Sequence, residues 1–102
     1  MRMMVFFDLL TKTKAQQKIA VKFRNFLLRD GYYMVQFSVY VRVCNGADAV
    51  DKHRKRLRLA APENGSIRVL VVTEKQYQAM DVILGKFAAE EEEMKYEQLT
   101  IF

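Results

Sequence analysis

The stretch Met3-Met4-Val5-Phe6-Phe7-Asp8 decides how the rest of the 102 residues are read. Its five successive apolar side chains leave no polar face, so the segment is expected as a strand covered on both sides, central in a sheet. Asp8 stands where that strand leaves the core. The apolar run is far short of the roughly 20 residues a membrane span needs, and Arg2 and Asp8 close it. Neither a secretory signal nor a transmembrane helix is expected.

Outward from this strand, Thr11 and Thr13 are both competent N-caps for a helix. In it Ala15, Ile19, Phe23, Phe26 and Leu27 recur at spacings of three and four until Gly31 offers a C-terminal cap. Lys14, Lys18 and Lys22 follow one another at i+4 on its other side, with Arg29 further along. Residues 32–44 are the most β-like, with Tyr33, Val35, Phe37, Val39, Val41 and Val43 on one parity and Met34, Gln36, Ser38, Tyr40, Arg42 and Cys44 on the other. At about 3.3 Å per residue this is long for one strand, which predicts a bend or split near Ser38. Asn45-Gly46 breaks it. A second helix is expected from about Asp48, with Asp48 and Asp51 preceding Lys52, Arg54, Lys55, Arg56 and Arg58, the order the helix dipole favours. Pro62 and Gly65 end it.

Residues 66–73 alternate and then become Val69-Leu70-Val71-Val72, expected as a second strand buried on both faces. Thr73 and Gln76 make a capping box for a third helix, with Tyr77, Met80, Leu84 and Phe87 as its apolar stripe. Glu90 to Glu93 form a solvated acidic connector, and Gln98-Leu99-Thr100-Ile101-Phe102 reads as a short terminal strand. The order strand, helix, long strand, helix, strand, helix, strand predicts an α+β fold, best matched by a ferredoxin-like α/β sandwich with helices over one face of a mainly antiparallel sheet. Residues 1–88 make the domain, and 89–102 the connector and C-terminal strand.

Composition agrees with a single domain: 51% of residues are hydrophobic, 28% are charged, and one proline with four glycines leaves little for a linker. The single cysteine, Cys44, cannot form an internal disulfide, and no Cys/His spacing resembles a zinc site, so a reducing, cytoplasmic setting is expected. The net charge of +5 is uneven. Residues 1–72 hold 14 Lys/Arg against 5 Asp/Glu, while 73–102 hold 3 against 7. The first part suits a polyanion such as nucleic acid, although solubility alone also demands charge of this size.

Asp8 is the one carboxylate abutting a buried strand. It has two readings: a ligand for a hard cation, or a turn former bonding the backbone of Leu10 or Thr11. One such ligand per chain is too few, and two copies across a two-fold axis would supply the pair that Mg²⁺ needs alongside water and phosphate. His53 falls with Val50, Leu57 and Ala60 at the apolar edge of its helix. With no titratable partner evident it is read as a hydrogen-bonded core histidine rather than a general base. Cys44 is a small packing residue. The Lys14, Lys18 and Lys22 stripe is either a solvated face or a phosphate contact. Arg42 shares the parity of Ser38, on the polar side of the strand, where it suits bidentate phosphate recognition. Tyr32, Tyr33 and Tyr40 are read as core or interface packing rather than base stacking.

Four ordered segments together resemble a known family: Met4-Val5-Phe6-Phe7-Asp8-Leu9, Phe23-Arg24-Asn25-Phe26-Leu27, Gln36-Phe37-Ser38-Val39-Tyr40-Val41-Arg42 and Val69-Leu70-Val71-Val72-Thr73-Glu74-Lys75-Gln76-Tyr77. The sequence is similar to the CRISPR-associated Cas2 family, in the variety that accompanies type II systems. The resemblance spans nearly the whole chain. It implies a ferredoxin-like homodimer in which Asp8 of both protomers binds Mg²⁺ and is the catalytic residue of a metal-dependent endonuclease. It also implies a complex with the Cas1 integrase that captures new spacers, with the dimer binding double-stranded DNA, or RNA, through Lys12, Lys14, Lys18, Lys22, Ser38 and Arg42. The terminal strand, with Leu99, Ile101 and Phe102, is implied to add to the partner protomer's sheet. Two alternatives stand beside this: a scaffold that does not cleave, and a stand-alone ferredoxin-like ribonuclease toxin. The chain departs from the family pattern at Leu10, where a proline is often found, and at Gln17, within a commonly basic pair.

Overall fold

The computed structural model describes residues 1–85. Phe87, the acidic connector and the terminal strand with Leu99, Ile101 and Phe102 lie outside the described residues. The elements are β1 (Arg2–Asp8), α1 (Lys14–Arg29), β2 (Tyr33–Gln36), β3 (Val39–Val43), α2 (Gly46–Ala60), β4 (Ser66–Val72) and α3 (Glu74–Gln78). The sheet order is β2-β3-β1-β4, every neighbouring pair antiparallel. This is the α+β, ferredoxin-like arrangement, with β1 central as its unbroken apolar run requires.

Alternation along β1 builds two apolar layers. Met3, Val5 and Phe7 stand opposite Val71, Val69 and Ile67 of β4. They pack with Tyr40 against Phe23 and Leu27 of α1 and Val50 and Leu57 of α2. Phe7 meets Phe23 edge-on, ring centroids 5.3 Å apart at 83°. Fully burying side chains of this size contributes about 1.5–3 kcal/mol each. The other face of β1 carries Arg2, Met4, Phe6 and Asp8. Met4 and Val41 pack there under Tyr77 of α3.

Arg2 is wholly buried. Its Nε lies 2.7 and 2.9 Å from the two carboxylate oxygens of Glu74, and Nη1 donates to the Tyr33 hydroxyl. The guanidinium also lies 4.3 Å over the Tyr77 ring. Burial opposes the charge, yet the bonds to Glu74, with Tyr33 and Tyr77 beside it, raise the guanidinium pKa above its ordinary value. One cation thus holds α3 and β2 to the same sheet face. On the helix side of the sheet, Asp30 caps α1 and is buried, accepting from both neighbours on α2: Oδ2 is 2.8 Å from His53 Nδ1 and Oδ1 is 3.1 Å from Arg56 Nε.

Several local expectations change. Residues 32–44 split near Ser38, one of the two outcomes expected, and form a hairpin: Ser38 has φ 61°, and the chain reverses between Gln36 and Val39, which pair. That puts Phe37 at the tip, 87% exposed. Among the described residues β4 is an edge strand rather than a doubly buried one, and Leu70 is 51% exposed because no described helix covers its side of the sheet there. The helix α1 starts at Lys14 behind the Thr13–Gln16 capping box, and α2 starts at Gly46 rather than Asp48. Ala15 and Ile19 are exposed, since the first two turns of α1 extend past the sheet core that receives Phe23 and Leu27. The Thr73–Gln76 capping box forms as expected, but α3 stops at Gln78. Of the described members of its expected stripe Tyr77 is buried, while Met80 is exposed and Leu84 94% exposed.

Two predictions follow from these layers. Arg2→Ala is expected to cost about 3 kcal/mol by urea titration, the low end for a broken buried pair because Glu74 keeps some water contact. Glu74→Ala should cost less in that background than in the wild type, and additive costs would contradict the pairing. Burial, then the Asp30 carboxylate, push the Tyr32 hydroxyl well above its ordinary value of 10.0. The unfolded chain therefore loses that proton first, so stability present below about pH 10 falls as pH rises beyond it. Melting temperatures across pH 8 to 11 should show a shallower alkaline fall for Tyr32→Phe than for the wild type.

Candidate functional site

Asp8 ends β1 and is exposed, with no ion-pair partner for its carboxylate among the described residues. The β4 ladder holds its backbone opposite Ser66. On the β3 side the Phe7 amide donates to the Ser38 carbonyl at 3.0 Å, which seats the hairpin tip against the end of β1. The approach of residue 65 is close: a Cβ there would lie 2.8 Å from both the Asp8 carbonyl oxygen and Leu9 Cδ2. Gly65, at φ +110°, is the residue that tolerates both the contact and the conformation.

Register places the Asp8 side chain on the sheet face of Met4, Phe6, Ser66, Arg68 and Leu70. Tyr77 covers this face at the Arg2 end only. Toward Asp8 it presents half-buried Phe6 and Val39, then exposed Leu70, Arg68 and Ser66. The helices lie against the opposite face.

Lys14, Lys18 and Lys22 are exposed and line, with Gln17, Val21, Asn25 and Arg29, an open groove along α1. None of these cations has an acidic partner among the described residues. The groove starts near the Asp8 end and runs the length of a helix of 16 residues, about 24 Å. Lys12 is exposed in the loop before α1, where its amide and that of Thr13 donate to Gln16 Oε1 at 2.9 and 3.0 Å. Gln17 Nε2 donates to the Thr11 carbonyl at 3.1 Å, so this departure from the family pattern ties down the loop that follows Asp8.

Arg42 lies on the helix side of the sheet, opposite Met3, and not on an open polar face. Its Nη1 donates to the Asp30 carbonyl, and its guanidinium fills the space beside Gly31 that any side chain there would need. His53 is buried as expected, but its partner is the Asp30 carboxylate, 23 residues away. Cys44 is buried in the helix-side core. Asp30 directly precedes Gly31 and looks in sequence like an ordinary helix end. Ser66 and Arg68 come to Asp8 only through strand pairing, for which local sequence carries no signal.

The comparisons with known proteins fit this geometry. The family model described as CRISPR associated protein Cas2 matches residues 1–80. The chain is 48% identical to the CRISPR-associated endoribonuclease Cas2 of Acidovorax ebreus, over 100% of both chains. It is 40% identical to the protein of that name from Campylobacter jejuni, covering 100% of this chain and 71% of the relative. Among solved structures it is similar to the crystal structure of Streptococcus pyogenes Cas2 at pH 6.5, with a TM-score of 0.64 and 27% identity over 83% of this chain and 100% of that one. With the expected fold, Asp8 at the end of the central strand and a match over most of its length, this chain belongs to the Cas2 family.

Proposed function

We propose that this chain is a homodimeric CRISPR adaptation protein, a Mg²⁺-dependent endonuclease whose site is the pair of Asp8 carboxylates, acting with the Cas1 integrase on double-stranded DNA. The observation that carries the reading is Asp8 itself: an exposed, unpaired carboxylate at the open end of a sheet face, in a chain of this family. Its relatives are named endoribonucleases, so phosphodiester cleavage of RNA belongs to the same reading.

The donor chemistry fits Mg²⁺. A free carboxylate is a hard oxygen ligand, and this ion is commonly held by one or two carboxylates, substrate phosphate and water. No three His, Cys, Asp or Glu side chains meet to hold a metal among the described residues, so the second protein donor is the partner protomer's Asp8. The apolar surface of Phe6 and Val39, on the β3 side of Asp8, supports a two-fold contact that leaves Ser66 and Arg68 at the β4 side to substrate. Bound Mg²⁺ neutralises charge on the phosphate and makes its water more acidic. The chain's own part is positional. Pairing with Ser66 of β4 fixes the Asp8 backbone, the Phe7 amide anchors the chain just before it to Ser38, and Gly65 lets β4 start close enough to hold it. The α1 lysines contribute phosphate contacts that neutralise backbone charge without reading bases.

One observation favours the non-cleaving scaffold as a second reading. The lysine stripe lies on the outer surface of the helix layer and Asp8 on the opposite sheet face, so a duplex along α1 is not directed at that chain's own carboxylate.

Asp8→Asn is expected to abolish Mg²⁺-stimulated cleavage of RNA and DNA oligonucleotides while binding duplex DNA no more weakly than the wild type. Cleavage that survives removes the catalytic half, and spacer acquisition that survives it assigns the scaffold reading. The double substitution Lys18→Ala with Lys22→Ala should lower the slope of log affinity against log salt by about two, at roughly 0.9 per phosphate contact. An unchanged slope contradicts contact through this stripe.

A further inference from the structure

Three arginines stand on strands, and two are used by the fold. Arg2 is enclosed by Glu74, Tyr33 and Tyr77, and Arg42 is bonded to the Asp30 carbonyl. Arg68 of β4 is exposed and has no ion-pair partner among the described residues. It pairs with Phe6, two steps along the ladder from the Asp8–Ser66 pair, and so shares the sheet face of Asp8. Such diagonal neighbours have Cα atoms about 7–8 Å apart, within reach of a long side chain.

We infer that Arg68 is a substrate-binding residue of the Asp8 site, its guanidinium taking the non-bridging oxygens of a phosphodiester brought to that carboxylate. This rests on the nuclease reading above and extends it. A carboxylate repels the phosphate it must help to cleave, so the site needs fixed positive charge on its own face. The α1 lysines are on the other layer, and Arg2 and Arg42 are engaged. Of the described strand arginines Arg68 is left, and its planar fork of donors matches a phosphate bidentately. The two side chains stand side by side with opposite charge, and the fold uses neither. One is a ligand for a hard cation and the other for an oxyanion, which are the two partners a metal-bound phosphodiester presents together.

The test compares wild type, Arg68→Ala and Arg68→Lys on labelled RNA and DNA oligonucleotides with Mg²⁺. Arg68→Ala is expected to lower kcat/KM at least tenfold, chiefly through KM, at an unchanged Mg²⁺ concentration for half-maximal rate, and Arg68→Lys to restore part of it. An unchanged kcat/KM overturns the inference. So does a shift in the Mg²⁺ requirement, which would make Arg68 a partner of Asp8 rather than of substrate, or a changed sedimentation coefficient, which would make it a subunit contact. If the wild type does not cleave, the nuclease reading fails separately, and fluorescence anisotropy of the same oligonucleotides decides on Arg68. Arg68→Ala must then weaken binding at least fivefold and lower the salt slope by about one, whereas equal affinity overturns it.

Discussion

The guanidinium of Arg2 is the interaction on which the sheet's second layer depends. A wholly buried cation is tolerable only where its donors are filled, and Glu74, Tyr33 and Tyr77 come from two other elements to fill them. Because these partners sit at the start of β1, α3 covers that end and stops. The other end of the same face stays open, and it is there that Asp8, Ser66 and Arg68 stand. A longer α3 lying across the sheet would have covered them.

The helix side has a different logic. Phe7, Phe23, Tyr40 and Leu27 fill the space between sheet and helices by shape and burial. A buried carboxylate, Asp30, then ties the end of α1 to His53 and Arg56 of α2. Arg56 is therefore partly spent on structure, as is Arg42 through its bond to the Asp30 carbonyl. This sorting of the cations matters for function, since net charge treats all 17 Lys and Arg alike. Among the described residues the α1 row and Arg68 are exposed and without an acidic partner, and they stand on opposite layers.

Much of this was legible in the sequence. An apolar run without alternation marks a central strand wherever it occurs, and the two Thr–x–x–Gln capping boxes formed where their spacing put them. Asp8 stood out because a carboxylate at the end of such a strand is rare among the chain's other acids. The misreadings share one cause. Val69-Leu70-Val71-Val72 looked doubly buried, because an apolar stretch reports that something covers it without saying what or on which side. Arg42 looked free for the same reason: its alternation was right, but which face was open was not yet decided.

By itself the sequence determined the elements, the central strand, the α+β class, the cationic stripe on α1 and the family, all of which follow from local periodicity, capping and ordered motifs. Only the tertiary structure decided which cations are free, that His53 meets Asp30, that β4 is an edge and that Arg68 shares a face with Asp8. Those are matters of register and layer. They join residues 23 and 60 positions apart, and no local spacing rule reaches across a sheet.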